Sequence, residues 1–215
     1  MATTRTRSVL VALISCLATA AVMLLVNGRS GPPGDASAEA GFSRDMGVHH
    51  AQAAEMGFAV RDASTDPAIR GLAYDIITTQ TAQRGVFMGW LQQWGLNQAA
   101  TRPAMAWMAG HGHGAPATAT GPATAPGKMP GMATDAEMKR LQAAKGKDAE
   151  ILFLQLMIRH HEGGVQMARA VLNRTNRPEV RTMAQHIVDT QDSEIAYMTD
   201  LLRSRGAKPY PSILN

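Results

Sequence analysis

Apolar positions recur every three or four residues in four long stretches of the chain. That period belongs to one face of an α-helix and not to a strand. Phe42, Met46, His49, Ala53, Met56 and Val60 trace the first face. The segment Asp62–Asp66 then reads as a turn, with Asp66 suited to cap a helix and Pro67 to occupy its first position. From Pro67, the residues Ile69, Leu72, Ala73, Ile76, Gln80, Phe87 and Leu91 point inward, and Gly95 marks the stop. A third helix, from about Lys147 to Asn173, and a fourth, from Pro178 to Gly206, repeat the pattern. Thr134 and Glu137 form a capping box that predicts a short helix over Asp135 to Lys145.

The repetition is residue for residue. A shift of 111 positions carries Phe42, Met46, His49, His50, Met56 and Val60 onto Phe153, Met157, His160, His161, Met167 and Val171 without a gap. The same shift carries Pro67, Arg70, Ala73, Ile76, Gln80, Leu91 and Gly95 onto Pro178, Arg181, Ala184, Ile187, Gln191, Leu202 and Gly206. Such a duplication sets the architecture. Two helical hairpins bury their apolar faces best against each other, so the expected fold is all-α, an antiparallel four-helix bundle. In an up-down bundle the first and third helices run parallel on a diagonal. His49 and His160 would then meet at one height, with Met46 and Met157 beside them.

The segments fall at 1–27 (signal anchor or signal peptide), 28–41 (tether), 42–95 (first hairpin), 96–133 (irregular linker), 134–206 (short helix and second hairpin) and 207–215 (tail). Arg5 and Arg7 precede an uncharged apolar run from Val9 to Val26. The run is long for a cleaved signal and lacks a small-residue cleavage site just beyond it. An uncleaved membrane anchor with the bundle outside the cytoplasm is expected, secretion after cleavage being the alternative. Cys16, the only cysteine, lies in that run, so the remainder offers no thiolate and no disulfide.

Composition narrows the chemistry. Apolar residues are 45% and charged residues 18%, enough for a real core. A net charge of +4 without any Lys/Arg block speaks against nucleic-acid binding. No Gly-x-Ser-x-Gly elbow, phosphate-binding glycine loop or Glu-x-x-His pair is present, which argues against a hydrolase, a nucleotide enzyme and a di-iron oxidase.

What the chain does carry is two His-His pairs set among methionines. Imidazole with thioether suits soft ions, Cu(I) first and Ag(I) by the same logic, while imidazole also holds Cu(II) and Zn(II). The candidate ligands are His49, His50, His160, His161, Met46, Met56, Met157 and Met167. Gln80, Gln191, Glu194 and His186 are candidates to orient them, with Gln83 standing where the second half has Glu194. In the linker, Met105, Met108, His111, His113, Met129 and Met132 could capture metal without a fold. The competing reading is a helical structural or interaction module whose methionines pack and whose histidines are hydrogen-bonded core residues.

The stretches "DMGVHHAQAAEM" (45–56), "MPGM" (129–132) and "FLQLMIRHHEGGVQMA" (153–168) resemble the domain of unknown function 305 family. The resemblance implies a ferritin-like four-helix bundle that is exported or membrane-anchored, and copper or silver binding by His49, His50, His160, His161 and the flanking methionines. The expected function is therefore non-enzymatic: an extracytoplasmic protein that sequesters copper, confers tolerance to it or transfers it, with a metal-donor or acceptor protein as an unidentified partner.

Overall fold

Four long helices form as the apolar period dictates. The computed structural model describes Val9 and residues 12–20, 31–108 and 129–214. Helix α1 spans Ala38–Ala63 and α2 spans Pro67–Gln93; α3 is the short Asp135–Ala143; α4 spans Gly146–Leu172 and α5 Pro178–Ser204. The caps are those the sequence predicts. Asp66 accepts hydrogen bonds from the Ala68 and Ile69 amides, and Thr134 and Glu137 close a reciprocal capping box. Gly95 and Gly206 adopt φ of 70° and 73° just beyond α2 and α5, the conformation that ends a helix at lowest cost to glycine. Helix α1 begins four residues before Phe42, because Ser37 caps it by accepting from the Ala40 amide.

Packing pairs α1 with α2, α4 with α5, and α1 with α4. The direction of the last pair differs from the sequence expectation. Ser64, past the end of α1, donates to Glu150 near the start of α4 at 2.6 Å. Thr175, past the end of α4, donates to Glu39 near the start of α1, also at 2.6 Å. These two clasps are one interaction seen twice, since the duplication maps Ser64 onto Thr175 and Glu39 onto Glu150. They make α1 and α4 antiparallel, not parallel, with an approximate two-fold axis across the bundle. The long connection between α2 and α3 allows it: it carries the chain back along the bundle, the single-crossover connectivity of ferritin-like folds.

That connection is less loose than its composition suggests. Its first part packs on α1 through Trp107 and Met105, whose indole and backbone N–H groups both donate to the buried Asp45 carboxylate at 2.8 Å. Its last part reaches Gln52, whose side chain exchanges hydrogen bonds with the Ala133 backbone at 2.9 and 2.7 Å.

The membrane anchor expected at the N-terminus is corrected. Among the described residues no helix is long and apolar enough to cross a membrane. Of the Val9–Val26 run, residue 9 and residues 12–20 are helical and exposed; the rest lies outside the described residues. Gly34–Asn215 forms a compact unit of its own, and the site lies entirely within it.

The core divides into two apolar clusters. One gathers Met56, Val60, Ile76, Phe153 and Met157; the other gathers Phe42, Met46, Phe87, Trp107 and Met167. At one end of the bundle Arg205, 8% exposed, binds Glu150 at 2.7 Å and Asp66 at 2.8 Å. Replacing Glu150 by Ala strips Arg205 and Ser64 of a buried partner and should cost about 2 kcal/mol in urea unfolding. Asp200→Ala, which breaks an exposed ion pair with Arg203, should cost less than about 0.5 kcal/mol.

Candidate metal centre

Because α1 and α4 pack directly and antiparallel, their midpoints face each other, and each midpoint carries a His-His pair. All four imidazoles are completely buried. The rings of His49 and His160 lie 3.7 Å apart between centroids at an interplanar angle of 30°, across the α1–α4 seam. His161 is the next ring, 6.4 Å from His160.

Three ring nitrogens have partners, and each partner is an oxygen. His49 Nε2 lies 3.1 Å from the Pro130 carbonyl, His50 Nε2 lies 2.7 Å from Gln83 Oε1, and His161 Nε2 lies 2.6 Å from Glu194 Oε2. A carbonyl, amide or carboxylate oxygen only accepts, so in each case Nε2 donates and holds the proton. The neutral ring then leaves Nδ1 as a bare lone pair. Among the described residues the Nδ1 atoms of His49, His50 and His161 have no hydrogen-bond partner, nor has either ring nitrogen of His160. An ordinary core histidine is hydrogen-bonded on both sides, because an unmatched buried acceptor costs about 1–3 kcal/mol. Imidazoles held by an outer oxygen with the other nitrogen free are oriented as metal ligands are.

The environment keeps His49, His50 and His160 neutral. Burial, aided by the neighbouring His50, drives the His49 pKa down to about 3. Burial drives His50 down to about 4 against the opposing Gln83 hydrogen bond. His160 falls well below the usual range, first by burial and then through His49, His161 and His50. A backbone approach of His49 opposes that shift, without hydrogen-bond geometry at either ring nitrogen. A proton therefore does not compete for the lone pairs of His49, His50 and His160 near neutral pH.

The methionines flank this layer. Met46, Met56, Met157 and Met167 are all fully buried. Met46 and Met157 do not share a cluster, contrary to the expectation from parallel helices. The antiparallel seam pairs Met46 with Met167 in one cluster and Met56 with Met157 in the other. Among the described residues no group of three or more His, Cys, Asp or Glu is placed to hold a metal. The buried histidines are thus not part of a carboxylate cage.

Of the predicted orienting residues, Glu194 is placed beside an imidazole. Gln80 and Gln191 are buried, but neither Gln80 amide atom nor Gln191 Oε1 has a partner. His186 is exposed on α5, away from the buried layer. Sequence reasoning passed over Gln83 and Pro130. The signal for Gln83 was its register with Glu194; Pro130 acts through its backbone, which no residue pattern reports. The Met129–Met132 loop lies against α4: a Cβ on Gly163 would strike the Pro130 carbonyl, and one on Gly131 would strike the Arg159 carbonyl. Met105, Met108 and Met129 pack beside the Phe42 cluster, and Met132 is half-buried. His111 and His113 lie outside the described residues.

The DUF305 family model, "Domain of unknown function", matches residues 39–202. A DUF305 protein from Streptomyces coelicolor, described as secreted, is 46% identical over 83% of this chain and 99% of its own, with a TM-score of 0.73. A DUF305 fragment from Deinococcus radiodurans is 31% identical over 81% and 99%, with a TM-score of 0.62. CopM in the Cu(II)-bound form is 27% identical over 78% and 97%, with a TM-score of 0.56. No curated protein matches the chain.

The buried neutral histidines make stability depend on pH. Above the unfolded value of 6.5 neither state binds a proton at His49 or His50. Below it the unfolded chain takes up protons that the fold refuses until pH falls to about 4 and about 3. Stability is therefore complete above pH 6.5 and drops on acidification by about 1.4 kcal/mol per pH unit for each ring. Chemical unfolding of the metal-free protein should show a loss of at least about 4 kcal/mol between pH 7 and 5 from His49 and His50, to which His160 adds in the same direction; a flat profile is the contrary result. Separately, Gly163→Ala must displace the Pro130 loop. It should destabilise by about 1–3 kcal/mol and quicken amide exchange at Gly131–Ala133.

Proposed function

The chain belongs to the DUF305 family, and from that premise we propose that it binds copper, as Cu(I) in preference to Cu(II) or Zn(II), and sequesters it or passes it on; silver would take the same donors. The ligands are Nδ1 atoms among His49, His50, His160 and His161, joined by sulfurs of Met46, Met56, Met157 and Met167. The observation that carries this reading is the set of three Nε2–H donations that leave imidazole lone pairs bare in a dry core. A thioether–imidazole set matches a soft ion and discriminates against Mg(II) or Ca(II), which demand oxygen. CopM, a relative of the same fold, is known in Cu(II)-bound and silver-bound forms, which supports the choice of ion. As a binding protein it needs no catalysis: affinity and a path for exchange suffice.

The second reading is a structural helical module whose histidines serve packing. It is favoured by the lack, among the described residues, of three convergent His, Cys, Asp or Glu ligands. Titration with Cu(I) against a competing chelator separates the two. The proposal expects tight binding that disappears when His49, His50, His160 and His161 are all changed to Ala, with helical circular dichroism retained. Gln83→Ala should weaken binding by about 10–100-fold through loss of ring orientation. Binding that survives in the fourfold variant would move the site to the linker, and a wild-type protein that binds nothing would leave the structural module.

A further inference from the structure

A fully buried site must exchange its ion with solvent somewhere, and one side of this bundle offers an opening beside it. Between α2 and α5 lies an open groove of about 410 Å³, lined by Pro67, Gly71, Asp75, Ser193, Glu194 and Tyr197 among others. Glu194 belongs to the groove wall and to the site at once. Its side chain is 19% exposed, and its Oε2 holds the wholly buried His161 at 2.6 Å. Of the groups that hold the histidine Nε2 atoms, Gln83 and Pro130 are both buried. Glu194 alone among those three carries charge and reaches water.

We propose that this groove is the port through which the metal cation reaches and leaves the histidine layer, with Asp75 and Glu194 drawing it in past the edge of the His161 ring. The inference rests on the metal-binding reading above and adds a route to it. The path runs along the Glu194 side chain, which touches solvent at one end and the ring at the other. The behaviour of His161 is the independent observation: its Nδ1 is buried and unpartnered, and its other nitrogen is turned to the groove. The duplication supplies an internal contrast. At the matching positions the other face has Thr182 for Gly71, exposed His186 for Asp75 and buried Gln83 for Glu194. There the carboxylates of Asp75 and Glu194 have no counterpart and a threonine replaces the glycine, while the one acid gained, Glu179 at the position of Ala68, is paired with Arg177. The two faces thus differ in charge next to the histidines.

Gly71 gives the test. It is exposed, and a Cβ built on it meets nothing within 4 Å, so a large side chain can fill the groove without touching His161. Replacing a helical glycine also favours the helix, which keeps the variant folded. Stopped-flow loading and chelator-driven release would be followed with Ag(I) on the full chain. Gly71→Phe should slow both rates by about 10-fold while the equilibrium Kd stays within about 3-fold of wild type. Glu194→Gln keeps an oxygen acceptor for His161 but removes the charge, and should slow loading by a similar factor. Thr182→Phe on the opposite face should leave both rates unchanged. Unaltered rates in Gly71→Phe and Glu194→Gln, with wild-type binding intact, overturn the port and spare the metal-binding reading. Failure of the wild-type protein to bind Ag(I) in the bundle overturns both.

Discussion

The structure depends on enclosing four imidazoles between two helices. Burial alone would favour expelling such groups, because each ring brings two polar nitrogens into a place with no water. The fold retains them by giving three Nε2–H groups an oxygen to donate to, drawn from three different segments: α2 through Gln83, α5 through Glu194 and the crossover through Pro130. The layer is therefore a junction that ties both hairpins and the linker together. Its incomplete satisfaction, at the Nδ1 atoms, at His160 Nε2 and at the repeat-related Gln80 and Gln191, is where the core departs from ordinary packing rules, and such departures are expected at functional sites.

Antiparallel pairing of α1 and α4 determines which groups share that junction. It brings the two motif centres face to face, so His49 meets His160. It also sends the flanking methionines to opposite sides, one from each motif in each apolar cluster. The clasps at the two ends, Ser64 with Glu150 and Thr175 with Glu39, hold this register from outside. A slide of one helix along the other would break both clasps and separate the rings together. The crossover adds a further restraint, since it follows α1 from Asp45 past His49 to Gln52 on its way to α3.

Helices, caps and the duplicated hairpins were legible because each rests on local chemistry: a 3.6-residue period, Asp66 before Pro67, Thr134 three residues before Glu137. Burial of His49, His50, His160 and His161 was legible for the same reason, as those positions lie on apolar stripes. Helix direction was not legible. Parallel and antiparallel pairings of α1 and α4 bury the same faces, and only the end-to-end hydrogen bonds distinguish them. The Pro130 contact was hidden because a backbone carbonyl looks alike in every residue. The Val9–Val26 run shows the reverse hazard: hydropathy alone suggested a spanning helix, while no described helix has the length and apolarity to be one.

Duplication makes the departures from symmetry informative, because each half is the control for the other. Some contacts that hold the architecture recur in both halves: the end clasps, and Arg70 and Arg181 each reaching back to carbonyls of the preceding helix and turn, Arg61 and Ser64 in one half, Leu172 and Thr175 in the other. The contacts to the histidines do not recur equally. Gln83 offers His50 a neutral acceptor at 2.7 Å, and Glu194 offers His161 a charged one at 2.6 Å. A carboxylate partner makes an imidazole the stronger donor to a cation, and an amide only orients it. If packing were all that this layer provided, either residue would serve in both places, since both accept the same hydrogen bond. A carboxylate placed where the bundle opens to water is what a binding site with a route of exchange would use, and what a purely structural core does not need.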